Sequence, residues 1–224
     1  MTPQPHDPAF LFDLDGTLVD TAYEHVVAWS AALKSAGIIV PKWKIHRRIG
    51  MSGRSLVRQL VREEGLRQKI KIEELERKHD ALFNKAMKDI QLFSGAQALL
   101  RHLTRHRVRW AIATTGSRDQ TKRLLRPLTL PRETVVVTGD DVVRAKPSPD
   151  IFVTAANRLN VPIEHCIVVG DSVWDMLAAA RRRALAVGLL SGGYGTGELE
   201  QSGAFRVYAD AADMLEHIED LGID

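Results

Sequence analysis

The chain has 224 residues, of which 45% are hydrophobic and 26% charged, with a formal net charge of +3 and a pI of about 9.1. This balance is ordinary for a globular protein, and no stretch approaches the roughly 20 apolar residues that a membrane span needs. Basic residues alternate with apolar ones at helical spacing, which favours solvated faces over a nucleic-acid surface, while the single cysteine, Cys166, excludes an internal disulfide and favours a reducing cytoplasm.

The first predicted element is a buried strand over Ala9–Leu14, and two carboxylates, Asp13 and Asp15, stand at its end. Positions i and i+2 of a strand share a face, and ligands of open α/β sheets bind beyond the carboxyl ends of the strands. Two such carboxyl groups would repel each other as anions, so either they share a cation or one of them holds a proton. The alternative is a strand end with two solvated aspartates.

The segment that follows shows helical patterns and no convincing strand. Its amphipathic stretches predict three helices, near Val26–Leu33, Ser55–Glu64 and Glu73–Lys88. We therefore expect an inserted helical cap domain over residues 21–93, with hinges near Asp20 and Phe93–Gly95. Residues 1–20 and 94–224 would form the core domain.

Beyond this insertion, strand and helix patterns alternate. Further apolar runs predict buried strands over Val108–Thr114, Thr134–Thr138, Cys166–Gly170, Ala184–Leu190 and Phe205–Ala209. Helical patterns lie between them, over Gly95–His106, Ile151–Leu159 and Ser172–Arg183. Such alternation predicts a parallel sheet covered on both faces. The expected fold class is α/β, a Rossmann-like three-layer parallel sheet core with an inserted α-helical cap domain.

Polar residues follow two of these later elements. Thr114, Thr115 and Ser117 stand between a strand and a predicted helix start near Arg118, where hydroxyls and backbone N–H groups can bind an anion. A helix N-cap is the alternative at this junction. Lys146 precedes two prolines and a helix start, which would hold it as a point charge for a phosphoryl oxygen. A solvated surface lysine is the alternative.

A second pair of carboxylates follows the strand Cys166–Gly170. Asp171 stands at the strand tip and Asp175 one helical turn later, so both could face one point. Hard cations such as Mg²⁺ take one or two carboxylates together with water and substrate phosphate. The alternative is that Asp171 or Ser172 caps the helix and that Asp175 is a first-turn acid favoured by the helix dipole.

In order, these segments resemble the four motifs of the haloacid dehalogenase-like superfamily. The matching residues are Asp13-Leu14-Asp15-Gly16-Thr17-Leu18, Thr114, Lys146-Pro147, and Gly170-Asp171-Ser172 with Asp175. The resemblance covers essentially the whole chain, including the place of the helical cap, and it is closest to the phosphoglycolate phosphatase and β-phosphoglucomutase-like branch.

This resemblance implies a role for each motif residue. Asp13 would attack phosphorus and become an aspartyl phosphate, and Asp15 would protonate the leaving oxygen and later activate water. Thr114 and Lys146 would hold the phosphoryl group. Mg²⁺ would be bound by Asp13, by the backbone carbonyl of Asp15 and by Asp171. Asp175 would support the metal site.

Two cap residues are candidates for contacts that select the substrate. His25 resembles a histidine that contacts the acid/base aspartate in many relatives, and an ordinary helix histidine is the alternative. Arg54 ends a segment, Arg47–Arg54, that resembles the cap loop of this branch. It is a candidate for binding the distal part of an anionic substrate, and a solvated arginine is the alternative.

We therefore expect a cytoplasmic phosphatase for a small phosphomonoester such as phosphoglycolate, with a sugar phosphomutase or a pyrophosphatase as alternatives. Asp15 argues against a dehalogenase, and the complete set of motif residues argues against a non-catalytic binding module. The expected partner is a small phosphorylated metabolite, without nucleic acid or membrane, and the protein would be a monomer or homodimer. The glycine-rich run Gly192–Gly197 has no dinucleotide-binding register and is expected to be a flexible loop beside the active site.

Overall fold

A computed structural model describes residues 8–65, 70–87 and 90–223. The chain forms two compact units, one of Met1–Asp20 with Gln91–Asp224 and the other of Thr21–Ile90. The second boundary thus lies earlier than residue 93, where the sequence pattern put it. The reason is that the Asp20 N–H donates to the Gln91 carbonyl over 2.9 Å and the Phe93 N–H to the Leu18 carbonyl over 3.1 Å.

The first unit contains a sheet of six strands, and every neighbouring pair is parallel. Their ranges are β1 Ala9–Phe12, β2 Trp110–Ala113, β3 Val135–Val137, β4 Cys166–Gly170, β5 Leu185–Leu189 and β6 Arg206–Tyr208. Their order across the sheet is β3-β2-β1-β4-β5-β6. The predicted α/β sheet is confirmed, although β1 ends before Leu14. It ends there because the Leu14 carbonyl accepts from the N–H groups of a turn at Thr17 to Val19.

Helices cover the sheet. In chain order, the helices of this unit are α5 Ala96–Arg105, α6 Arg118–Leu124, α7 Asp150–Arg158, α8 Val173–Ala180, α9 Thr196–Gln201 and α10 Ala211–Glu216. Helices α7, α8 and α9 share one apolar cluster with Leu11 and Val168 of the sheet. Phe10 and Phe12 point to the opposite face and are also fully buried. Both faces of the sheet are therefore covered, as the continuous apolar strands predicted.

The second unit is helical, with α1 Ala22–Ser35, α2 Lys42–His46, α3 Gly53–Glu63 and α4 Ile72–Ala86. These helices enclose their own apolar cluster, which includes Trp29, Leu33, Leu56 and Leu75. The sequence pattern did not predict the short helix α2, and the predicted end of the third helix at Lys88 lies outside the described residues.

The glycine-rich run after β5 differs from the expected loop. A short 3-10 helix over Leu190–Gly192 ends at the first residue of this run, and α9 begins within it at Thr196. Gly195 is the N-cap residue of α9, and its N–H donates to the Glu198 carboxylate over 2.9 Å. Over the described parts of the chain, no helix combines the length and the apolarity needed to cross a membrane.

Candidate active site

The site begins with the ends of two adjacent strands. Strands β1 and β4 are paired with Phe12 opposite Val169, and the Asp13 N–H extends this pairing by donating to the Val169 carbonyl over 2.8 Å. Because parallel strands end at the same edge of a sheet, the residues that follow β1 and β4 lie side by side. The sequence thereby brings Asp13 next to Asp171.

Three carboxylates gather at this edge. Asp13, Asp171 and Asp175 each offer an oxygen within 4.8 Å of the others, and all three residues are at most 3% exposed. Burial raises the pKa of Asp13 to about 7, with the charge of Asp175 adding to this shift and that of Lys146 opposing it. Burial likewise raises the pKa of Asp171 well above its ordinary value, as do its carboxylate neighbours. A buried donor set made only of carboxylate oxygens fits a hard divalent cation, so this triad could hold a metal ion.

Lys146 lies inside this cluster and not at a solvated surface. Its Nζ is 2.7 Å from Asp13 Oδ1 and 2.8 Å from Asp175 Oδ1, and its side chain is fully buried. Burial lowers the pKa of Lys146, but the two carboxylates raise it by more, and the net shift is upward. Lys146 therefore stays charged and joins the two carboxylates. The sequence predicted its charge near the site but not this pair of contacts.

Asp175 makes contacts with both of its carboxylate oxygens. Its Oδ2 accepts from the Ser172 N–H over 3.2 Å and from the Ser172 hydroxyl over 2.6 Å, which caps the start of α8. Its Oδ1 faces Lys146. One carboxylate therefore caps the helix and also belongs to the charged cluster.

Asp15 has different surroundings from Asp13. It is only partly buried, and its Oδ2 accepts from the Thr114 hydroxyl over 3.2 Å. The Gly116 N–H donates to the same hydroxyl over 3.1 Å. Thr114 thus connects the end of β2 to Asp15, whereas Asp13 pairs with Lys146.

The N-cap role at the β2–α6 junction belongs to Ser117, whose hydroxyl accepts from the Gln120 N–H over 3.4 Å. The backbone of Thr115 packs against Gly139, where an added Cβ would lie 2.5 Å from the Thr115 carbonyl oxygen. This close packing fixes the turn that carries Thr114. The predicted N-cap is therefore present at Ser117, and anion binding at Thr114 and Thr115 stays a prediction.

Two contacts of the site escaped the sequence reasoning. The Thr17 hydroxyl donates to Asp171 Oδ1 over 2.8 Å, and the Ser191 hydroxyl donates to the Gly16 carbonyl over 2.6 Å. Thr17 lies within the first motif, so its hydroxyl beside two aspartates was a usable signal. Ser191 carried no such signal, because its partner is 175 residues away in the chain.

His25, the first cap candidate, lies beside a second histidine of the helical unit. His25 Nδ1 lies 3.0 Å from His79 Nε2, and His79 Nδ1 lies 2.9 Å from Asp80 Oδ1. The His25 ring also stacks on Phe83 with centroids 3.8 Å apart. Sequence reasoning missed His79 and Asp80, since nothing in the helical pattern relates them to His25.

Arg54, the other cap candidate, pairs with Glu73. Its Nη2 is 2.7 Å from Glu73 Oε1, and both side chains are largely exposed. An exposed ion pair of this kind contributes little to stability. The structure thus places Arg54 on the surface of the helical unit, with an acidic neighbour.

Three carboxylates and a lysine lie together at the strand ends of a parallel sheet. This combination of fold and site is typical of a class of α/β hydrolases. Residues 8–181 match the family model described as haloacid dehalogenase-like hydrolase, which is more than half of the chain. The chain therefore belongs to the haloacid dehalogenase-like hydrolases, as its motifs predicted.

The similar proteins specify the reaction further. A hydrolase of known structure from Pseudomonas syringae is 44% identical to this chain, and the two structures superpose with a TM-score of 0.92. The alignment covers 96% of this chain and 99% of that one. A probable pseudouridine-5'-phosphatase of Drosophila melanogaster is 33% identical over 75% of each chain. A phosphoglycolate phosphatase of Cupriavidus necator is 32% identical over 83% of this chain and 81% of that protein. The predicted class of enzyme, a phosphoric monoester hydrolase, is confirmed.

Proposed function

We propose that the protein is a Mg²⁺-dependent phosphatase of small phosphomonoesters and that Asp13 is its nucleophile. The observation that carries this proposal is the contrast between Asp13, buried and paired with Lys146, and Asp15, partly exposed and bound by Thr114. Two carboxyl groups in such different surroundings suit two different tasks. Asp13 would be the nucleophile, whose ionised form the Lys146 charge favours against the effect of burial, and Asp15 the proton carrier.

In the proposed first step, an oxygen of Asp13 forms a bond to phosphorus, and the bond between phosphorus and the leaving oxygen breaks. Asp15 donates a proton to that leaving oxygen. In the second step, Asp15 takes a proton from a water molecule whose oxygen attacks phosphorus. The bond to Asp13 then breaks, which frees phosphate and restores both carboxyl groups.

The remaining residues position the Asp13 carboxylate and neutralise charge on the phosphoryl group. Lys146 orients the Asp13 carboxylate through the 2.7 Å contact with Oδ1 and offsets charge on the phosphoryl oxygens together with Thr114 and Thr115. Asp13, the Asp15 backbone carbonyl and Asp171 would hold Mg²⁺, with Asp175 in support. When bound, this ion neutralises charge on the transferring phosphoryl group.

The proposed substrate class is defined by the phosphomonoester group itself. Two relatives are named for phosphoglycolate and for pseudouridine 5'-phosphate, and these compounds share that group and differ in what carries it. We assign discrimination between such compounds to the cap, through His25 and Arg54. We further propose a cytoplasmic monomer or homodimer that acts on a small metabolite and binds neither nucleic acid nor membrane.

A screen of phosphorylated metabolites with Mg²⁺ tests this proposal, with Asp13→Asn as the decisive variant. We expect this substitution to abolish phosphate release while the far-ultraviolet circular dichroism stays unchanged. Asp20→Asn is the matched control, because Asp20 is a nearby aspartate with an exposed side chain, and it should keep wild-type activity.

Continued turnover of phosphomonoesters by Asp13→Asn would disprove the assigned nucleophile. The screen scores free phosphate and isomerised product separately. Isomerised sugar phosphate without free phosphate would instead identify a phosphomutase, and release of phosphate from pyrophosphate alone would identify a pyrophosphatase.

A further inference from the structure

The segment that follows β5 packs directly against the carboxylate of Asp171. A Cβ added to Gly192 would overlap Asp171 Oδ2 and would lie 2.6 Å from Asp171 Cβ, whereas Cβ atoms in proteins essentially never approach other atoms within 3.0 Å. Gly192 is buried and its φ is not in the left-handed region. Its lack of a side chain is therefore required by space and not by backbone conformation.

Asp171 has little room to move away from this contact. Its Oδ1 accepts the 2.8 Å hydrogen bond from Thr17. On another side stands Gly16, where an added Cβ would lie 2.5 Å from Asp171 Oδ2. The carboxylate is thus enclosed by two glycines and one hydroxyl, and the whole residue is 3% exposed.

The same segment is also tied to the turn after Asp15. The Ser191 hydroxyl donates to the Gly16 carbonyl over 2.6 Å. Ser191 and Gly192 therefore contact the first motif and the fourth motif at the same place, from a part of the chain that belongs to neither. A substitution at either residue would therefore change the positions of Asp171 and of the turn that follows Asp15.

We propose that Ser191 and Gly192 are positioning residues that set the metal affinity of the site. Gly192 sets the place of the Asp171 carboxylate by close packing, and Ser191 holds the segment in register with Gly16. Groups behind the ligands of a metal commonly change its affinity by about 10- to 100-fold when they are altered. The inference rests on the proposed function, because it takes Asp171 to be a ligand of Mg²⁺.

The test is direct measurement of Mg²⁺ binding to the full chain by isothermal titration calorimetry. Gly192→Ala should weaken binding at least about tenfold. Gly197→Ala is the matched control, since an added Cβ there has no neighbouring atom within 4 Å, and it should bind Mg²⁺ as the wild type does. In the phosphatase assay, Gly192→Ala should need more Mg²⁺ for half-maximal rate and should recover activity as Mg²⁺ is raised. The variant must be folded before Mg²⁺ is added, as far-ultraviolet circular dichroism measures, because Mg²⁺ binding would also restore a merely destabilised variant.

Ser191→Ala provides a second variant without steric overlap, in case Gly192→Ala does not fold. It should weaken Mg²⁺ binding, whereas Ser191→Thr, which keeps the hydroxyl, should bind like the wild type. Unchanged affinity in folded Gly192→Ala, or in Ser191→Ala if the first variant does not fold, overturns the inference. Absence of Mg²⁺ binding by the wild type would instead overturn the metal assignment in the proposed function, so the two failures are distinguishable.

Discussion

The core unit and the helical unit both carry clusters of titratable side chains, but the two clusters differ in burial. In the core, Lys146 lies between Asp13 and Asp175 with all three side chains at most 4% exposed. In the helical unit, the His79 side chain is buried while Asp80 is about half exposed. Burying a charge costs several kcal/mol unless it is paired, whereas exposed pairs contribute about 0–1 kcal/mol.

Because the two clusters differ in burial, substitutions in the two units should have different consequences. Substitutions in the core cluster should change stability and chemistry together, because each charge there compensates another. Substitutions in the helical unit should alter activity with a smaller cost in stability.

Lys146→Met should give the largest combined effect. Loss of the ammonium leaves Asp13 and Asp175 without their buried cation, and breaking such a pair costs about 3–5 kcal/mol in the free energy of unfolding. Phosphatase activity should fall at least about 100-fold, because a preorganised positive charge near the phosphoryl group is lost. Urea denaturation and a phosphate-release assay measure the two effects.

Lys122→Met is the control for this variant, because Lys122 is exposed on α6, and its free energy of unfolding should stay within about 0.5 kcal/mol of the wild type. Wild-type stability in Lys146→Met would show that the core cluster does not depend on its cation, and the contrast between the units would fail.

Mg²⁺ should stabilise the protein more at pH 8 than at pH 5. Burial raises the folded-state pKa of Asp13 to about 7 and also raises that of Asp171, against about 3.9 in the unfolded chain. The folded state therefore binds more protons, and metal-free stability should fall as the pH rises from about 4 through 7. Lys146 does not alter this sign, since its pKa is raised and it stays protonated throughout this range.

Metal ions bind the ionised carboxylates, so they should recover the stability lost at the higher pH. Melting temperatures with and without Mg²⁺ at both pH values measure this effect, and Asp171→Asn should reduce the difference. Equal stabilisation by Mg²⁺ at pH 5 and pH 8 would contradict the assignment of these two carboxyl groups to the metal.

The smallest effect is expected in the helical unit, from His79→Phe. Phenylalanine keeps an aromatic ring beside Trp29 and Phe83 but removes the 3.0 Å contact with His25. Loss of one hydrogen bond is worth about 0.5–1.5 kcal/mol, so kcat/KM should fall about two- to tenfold. Stabilisation by Mg²⁺ should remain as in the wild type.

A double-mutant cycle sharpens this prediction. If His79 acts through His25, then His25→Phe should be at least as damaging, and the double variant should be no worse than His25→Phe alone. Fully additive losses in kcat/KM would show that the two histidines act independently.

Much of the fold was predictable because buried strands and helices have recognisable local patterns of apolar residues. The apolar runs identified all six strands, and the first motif placed Asp13 at the end of β1. Element ends were less predictable, since they depend on hydrogen bonds to other segments. The domain boundary moved to residue 90 because Gln91 and Phe93 bond to the segment around Asp20.

The sequence by itself determined the sheet, the motif residues and the family, because strand periodicity and motif spacing are local properties of the chain. Only the tertiary structure decided which charges meet. It placed Lys146 between Asp13 and Asp175 and brought Ser191 to Gly16 across 175 residues. Such contacts depend on how strands pair and where they end, and no short stretch of sequence contains that information.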